Sequence, residues 1–457
     1  MVTELHKGET RMASNPASSG NRWGILIAGI GVMLCIGTVY SWSIFTRPLL
    51  AAFNWTNADV TWAFAVAIFC FGIGTVIGGR WQDRVGPRTV TTVGVILWGI
   101  GLLLAGLGTI AFGKWWLYLC YGLIGGIGGG MAYVTPVAVI AKWFPDRRGM
   151  ATGLVVMGFG FGAFFYNQIV PRIAGFASAA KASGLYADAR AAAIKAGTTF
   201  DPAQYQLSAD QIQSVMNIFI WSGVIFIIFG GICAWLLSNP PTGYTVAGAV
   251  AQAAASGPSY TPSQALAMPQ LYLLWLLLFL NVTAGILIIS NAVPILSDLT
   301  GLTAAVVAPL YGLLAIFNAL GRFFWGSISD RIGRGLTYTV MYLVQVVIFF
   351  ILGSLHQPVL VCIGFAIVLA CYGGGFGVMP SFTADFFGTK YLGQIYGFIL
   401  TAWGFAGLVG PLVAAFVKDH TGSFTGAMPW VALMLLIAAI IPFFVKKPTG
   451  QPKTATA

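Results

Sequence analysis

Apolar runs of about 20 residues, each long enough to cross a bilayer, alternate along this chain with short polar connections. Twelve such runs predict membrane helices, at roughly 23–45, 59–79, 90–110, 115–141, 149–171, 215–237, 270–297, 305–327, 336–355, 358–380, 393–418 and 427–445. The polar residues 1–22 precede a run too long for a signal-peptide core, so the first helix is expected to be retained. The pattern divides the chain into a tail (1–22), a six-helix half (23–237) and a second half (269–445) followed by a tail (446–457). Two connections are longer than the rest. Residues 172–214 are expected to form a long outward loop, with Ser208 capping the helix that enters span six, and residues 238–268 form a linker nearly devoid of charge.

Composition agrees with this pattern, at 58% hydrophobic and 8% charged residues. That charged fraction is about a third of the soluble norm. Lys and Arg divide unevenly between the two ends of the spans. One side carries Lys7, Arg11, Arg22, Arg80, Arg84, Arg88, Lys142, Arg147, Arg148, Arg331, Arg334, Lys390, Lys446, Lys447 and Lys453. The other carries Arg47, Lys114, Arg172, Lys181, Arg190, Lys195 and Lys418, four of them in the long loop. The positive-inside rule then places both termini in the cytoplasm and the chain in the cell inner (plasma) membrane. The net charge of +11 reflects this bias and contact with anionic lipid. The basic residues are scattered over short loops, which speaks against nucleic-acid binding.

One loop occurs twice. Gly79-Arg-Trp-Gln-Asp83-Arg84-Val-Gly86-Pro-Arg88 follows span two, and Gly326-Ser-Ile-Ser-Asp330-Arg331-Ile-Gly333-Arg334 follows span eight. Two copies six spans apart imply parallel internal symmetry between the halves. Such a loop ends a helix at glycine, and its Asp and Arg can pair with helix termini or with each other. It resembles the cytoplasmic loop signature of the major facilitator superfamily, whose role is to hold one state of a gate. The fold expected is therefore all-α, with twelve transmembrane helices in two pseudo-symmetric halves.

Within the apolar interior stands one cation, Arg322, whereas every Asp and Glu lies at a span end or in a loop. A guanidinium in hydrocarbon costs several kcal/mol unless it is paired, snorkels or faces water. An anion that comes and goes would serve as its partner. Arg322 also lies four residues before the loop motif, so reaching the interface is an alternative. The matching position in the first half is Thr75, so the loop itself requires no cation there. Tyr311, Ala315, Asn318 and Arg322 follow helical spacing and are expected on one face. Glycine clusters at 125–130, 158–162 and 373–377, with Gly404, Gly407 and Gly410, suit either close helix packing or bending, and Pro136, Pro380 and Pro411 add kinks.

A closer resemblance rests on several short motifs in order. They are Asn21-Arg-Trp, Tyr40-Ser-Trp42, Trp143-Phe-Pro-Asp-Arg-Arg-Gly149, Pro269-Gln-Leu-Tyr-Leu-Leu-Trp275, Ser290-Asn-Ala-Val-Pro294 and Gly321-Arg322-Phe-Phe-Trp-Gly326. Together they resemble the oxalate/formate antiporter family, which is related to the monocarboxylate transporters. That resemblance implies that Arg322 binds a substrate carboxylate and that Tyr40, Trp42 and Tyr133 line the site. The oxalate antiporters add a lysine after a Tyr-Gly-Phe run; here Tyr396-Gly-Phe398 is followed by Trp403 at that position. A site with one cation suits one carboxylate, because a second would stay unpaired in a low-dielectric cavity.

The expected substrate-binding set is thus Arg322, Asn318, Tyr40, Trp42, Tyr133, Tyr372 and Trp403, although ring packing between helices is an alternative for each aromatic. The expected activity is transport of small monocarboxylates of the lactate, pyruvate or formate type by alternating access. An oxalate or dicarboxylate exchanger is the nearest alternative, and an anion sensor or passive channel the alternative of another class. Protons are a further candidate partner, and a monomer is expected. Cys35, Cys70, Cys120, Cys233, Cys362 and Cys371 all lie in spans without metal-ligand spacing. His6, His356 and His420 lie in a tail or in turns and are expected to be solvated. No enzyme activity, cofactor or metal is expected.

Overall fold

In the computed structural model, residues 21–244, 246, 259–302, 304–410 and 424–448 are described. His6, His420, Pro411 and Lys418, and residues 245 and 247–258 of the 238–268 linker, lie outside them. The described residues form helices and connecting turns, without strands. Nine of the helices are long and apolar enough to cross a membrane. One of these, Pro87–Trp143, folds back at Gly113 (φ 69°) and makes two passages. Span eight is the pair Ala304–Leu314 and Ile316–Ile332, and span twelve lies within Met428–Phe444.

Helix starts follow local chemistry. Thr56 with Asp59, Ser208 with Gln211 and Thr261 with Gln264 form reciprocal capping boxes, each satisfying two otherwise orphan N–H groups. The two loop motifs end their helices alike, at Gly86 (φ 91°) and Gly333 (φ 88°). Only glycine adopts that conformation without strain.

Several expected elements are corrected. The 172–214 segment is not an irregular loop, because most of it is the helix Ala174–Ala196. Alanine has the highest helix propensity, and it dominates this stretch. The helix docks on the end of span one, where Tyr186 donates to Asn54 Oδ1 at 2.7 Å. Span seven breaks at Asn291, between Pro269–Ser290 and Ala292–Thr300, rather than running unbroken. Span twelve breaks after Ala438, shortly before Pro442.

The two halves meet most closely where span five (Arg148–Ile169) crosses span eight. Glycine permits the approach. A Cβ on Gly149 would lie 2.2 Å from the Gly326 carbonyl, and one on Gly326 would lie 2.5 Å from the Gly149 carbonyl. Span two packs on span eleven in the same way around Gly79 and Gly393. The site described next lies along these inter-half crossings.

Candidate functional site

Arg322 is 1% exposed, so its side chain does not reach the interface. Glycines hold its helix on two sides. A Cβ on Gly153 of span five would lie 2.5 Å from the Arg322 carbonyl, and one on Gly377 of span ten would lie 2.1 Å from it. In span ten the same holds for Gly373 against the Asn318 carbonyl, at 2.1 Å. The close-packing reading of these glycines therefore accounts for their place in spans five and ten.

The guanidinium lies between two phenyl rings, with Cζ 5.2 Å from the Phe159 centroid and 4.9 Å from that of Phe376. Phe159 belongs to span five and Phe376 to span ten, so one ring comes from each half. Cation–π attraction offsets part of the cost of burial but leaves the hydrogen-bond donors unsatisfied. Nε donates to Asn318 Oδ1 at 3.3 Å, one helical turn earlier. Nη1 and Nη2 are buried and complete no hydrogen bond of normal geometry. Asn318→Ala should free Nε and loosen the fork, lowering anion affinity roughly 3- to 10-fold, the scale of one ordinary hydrogen bond. Titration of purified protein would check this.

Around the cation the structure gathers most of the sequence-derived aromatics. Trp403 is fully buried, with ring centroids 5.7 Å from Tyr40, 5.7 Å from Tyr133, 5.6 Å from Phe159 and 5.4 Å from Phe376. The Tyr40 and Tyr372 hydroxyls share a hydrogen bond at 2.5 Å, joining span one to span ten across the two halves. Tyr40, Tyr133, Tyr372 and Tyr396 all lie within electrostatic reach of Arg322. Tyr311 stands beside Tyr40 and Tyr372. Among these groups the Trp403 Nε1, Tyr133 Oη and Tyr396 Oη atoms are buried without a hydrogen bond of normal geometry.

Three of the site residues follow irregular turns. Tyr40 is within the 3-10 segment Thr38–Ser41. Asn318 donates its N–H to the Ala315 carbonyl, and Trp403 to the Leu400 carbonyl, both three residues back. Such tightened turns interrupt the ideal helix where side chains must be re-aimed. Span eight is accordingly not one straight helix, and its Tyr311-to-Arg322 face is broken at Ala315.

Trp42 is a correction. Its indole stacks on Tyr121 at 4.6 Å and donates to the Val60 carbonyl at 3.2 Å, inside the first half and away from Arg322. Residues two apart on a helix do not face the same way, so Tyr40 and Trp42 cannot both turn inward. Phe71, Phe159, Phe376 and Tyr396 join the cluster without having been singled out from the sequence. Phenylalanine is too common in apolar spans to carry a signal, whereas Tyr396 belonged to a run already noticed.

The duplicated loops also bridge the halves. Asp330 accepts hydrogen bonds from the Gly149 and Met150 N–H groups, at 2.9 and 2.8 Å, at the start of span five. Asp83 accepts one from the Gln394 N–H, at 3.0 Å, at the start of span eleven. Each motif carboxylate thus caps a helix of the opposite half, where the positive end of the dipole favours it. Arg334 pairs with Asp330 at 2.8 Å and with Asp385 at 2.9 Å, while Arg148 reaches Asp385 from the other half at 3.2 Å. Arg84 and Arg331 are exposed, and Arg88 stacks on Trp235 at 4.9 Å. On the side bearing these motifs, hereafter the motif side, the two halves are locked together. A separate surface recess lined by Asn21, Gly24, Ile25, Trp143, Leu236 and Ser238 offers no charged group to an anion. Among the described residues, no three His, Cys, Asp or Glu side chains come together as a metal site.

Comparison with known proteins agrees with this architecture. The chain matches the family model of the Major Facilitator Superfamily over residues 24–411 and 274–457. It is 27% identical to the oxalate:formate antiporter of Oxalobacter formigenes, covering 95% of this chain and 93% of the relative. It is 26% identical to apicoplast pyruvate carrier 1 of Toxoplasma gondii, over 83% and 81% of the two chains. Among solved structures, the E. coli fucose:proton symporter superposes with a TM-score of 0.67 at 15% identity, covering 93% of this chain and 98% of that one. The twelve passages, the duplicated loop and these likenesses agree, and the chain belongs to the Major Facilitator Superfamily: it is an integral membrane transporter and not an enzyme.

Proposed function

We propose that the protein carries small monocarboxylates across the inner (plasma) membrane by alternating access, with the substrate carboxylate held by Arg322. One observation carries this reading: a fully buried arginine at the contact of the two halves faces no carboxylate, and its Nη atoms, near the Tyr133 hydroxyl, complete no hydrogen bond of normal geometry. Two parallel N–H donors match the two oxygens of a carboxylate. The phenyl rings of Phe159 and Phe376 cannot accept those bonds, and the single Tyr133 hydroxyl nearby cannot satisfy the whole fork, which leaves donors for a ligand. Binding such an anion neutralises the one cation of the membrane interior, and the neutral complex rearranges at lower cost than the empty, charged one.

The distribution of Lys and Arg supports placing the motif side and both termini in the cytoplasm. The Asp83 and Asp330 caps then form the cytoplasmic gate. Site and gate are contributed by one chain, which supports a monomer working in anionic lipid. With no Asp or Glu in the interior to hold a proton, exchange is favoured over proton symport.

Labelled pyruvate in proteoliposomes tests the reading. Counterflow against internal unlabelled acid should accelerate uptake, while an imposed pH gradient alone should drive little. Uptake without trans-stimulation would indicate a channel and would contradict the proposal. The likeness to an oxalate:formate antiporter favours dicarboxylate exchange as the second reading. Strong competition by oxalate, exceeding that of pyruvate, would replace our reading with that one.

A further inference from the structure

Beyond Arg322, the same cluster holds Trp403 Nε1 as a buried donor without a partner, and beside it the Tyr133 and Tyr396 hydroxyls, which lie within reach of each other, and Tyr133 of Arg322, but complete no hydrogen bond of normal geometry. All three side chains are fully buried. A buried donor left unsatisfied is costly, and within one packed cluster the cost recurs at each group. The indole N–H can only donate, as can the guanidinium. These two obligate donors call for an acceptor-bearing ligand, and the tyrosine hydroxyls beside them can donate to the same acceptor.

The two sets of donors are close neighbours. Trp403 and Arg322 pack on the same two rings, with Trp403 at 5.6 and 5.4 Å and Arg322 at 5.2 and 4.9 Å from the Phe159 and Phe376 centroids. Tyr133 lies 5.3 Å from Phe159 and 5.7 Å from Trp403. A molecule of a few carbon atoms can touch both sets. The second set is uncharged, which limits what it can hold. A second carboxylate would be desolvated beside it without a countercharge, whereas a carbonyl or hydroxyl oxygen needs only a hydrogen bond.

We propose that Trp403 Nε1, with the Tyr133 and Tyr396 hydroxyls, forms an uncharged subsite for an acceptor oxygen on the carbon next to the substrate carboxylate. The carrier then selects 2-oxo and 2-hydroxy acids over unsubstituted acids of the same size. This inference rests on the reading of Arg322 as the carboxylate ligand and adds the feature that separates one monocarboxylate from another.

Pyruvate and propionate differ by one carbonyl in place of a methylene, so they isolate the subsite. Affinities come from the concentration dependence of thermal stabilisation of the purified full-length protein. The parent should bind pyruvate at least about 10-fold more tightly than propionate, since the analogue leaves buried donors unpaired. Trp403→Phe keeps a ring and removes the N–H. The ratio should fall roughly 3- to 10-fold through weaker pyruvate binding, the scale of one hydrogen bond. Tyr133→Phe and Tyr396→Phe should move it the same way by less.

Equal affinity of the parent for the two acids overturns the subsite, as does a ratio unchanged in all three variants. If Trp403→Phe does not fold, the parent ratio and the two tyrosine variants decide. Stabilisation that needs Arg322 but ignores the carbonyl sinks the subsite alone. If neither acid stabilises the parent, or if Arg322→Met still responds to both, the Arg322 reading falls and the subsite with it.

Discussion

Arg322→Met should abolish anion-dependent stabilisation and transport while raising the melting temperature of the ligand-free protein. The two effects have one cause. In the empty protein the guanidinium is buried with no countercharge and no Nη hydrogen bond of normal geometry, which is a net cost that methionine, apolar and of similar length, removes. In the complex those atoms supply two charge-assisted hydrogen bonds, at about 1.5–3 kcal/mol each, so their loss weakens binding by at least about 100-fold. A purely structural arginine gives the opposite stability change, because removing it breaks contacts without relieving a charge. Arg322→Lys should also be strongly impaired, since a point ammonium does not reproduce the fork. Near-normal uptake by Arg322→Ala at parental expression would show that the arginine is not the carboxylate ligand.

Asp330→Ala should shift the protein away from the state in which the motif side is shut. Asp330 caps the first turn of span five through two N–H groups and pairs with Arg334 of its own half, so alanine removes two contacts between the halves and one that steadies them. Those contacts are worth roughly 2–4 kcal/mol together, taking a cap at about 1 kcal/mol and adding part of the charged bonds. Two conformations of a carrier differ by only a few kcal/mol, so such a loss is enough to change which one dominates. Spin labels at Arg84 and Arg331, exposed on opposite halves, report the separation by pulsed electron resonance. The distance distribution should gain a longer component in Asp330→Ala and a smaller one in Asp330→Asn, which keeps an acceptor. A distribution identical to the parent's would mean that this carboxylate does not hold the gate.

The hydrophobic pattern by itself determined the membrane class, the number of passages and the duplicated loop, and it marked Arg322 as chemically out of place. These are local properties. A run of apolar residues is read without knowing its neighbours, and a cation in such a run is costly wherever the run lies. Even the glycines of spans five and ten were visible as close-approach sites, though not what approached them. The companions of Arg322 were decided only by the tertiary structure. Phe159 and Phe376 are ordinary phenylalanines until spans five and ten cross span eight, and Arg148 and Asp385, 237 residues apart, become partners only when the motif side closes. Trp42 shows the reverse, a residue with a sound motif behind it that the turn at Thr38–Ser41 directs into the first half instead. Sequence periodicity says which residues share a face of one helix, whereas a site built from seven helices depends on how each is rotated and where its turns tighten. That rotation is set by packing between segments far apart in the chain, and no single segment carries it.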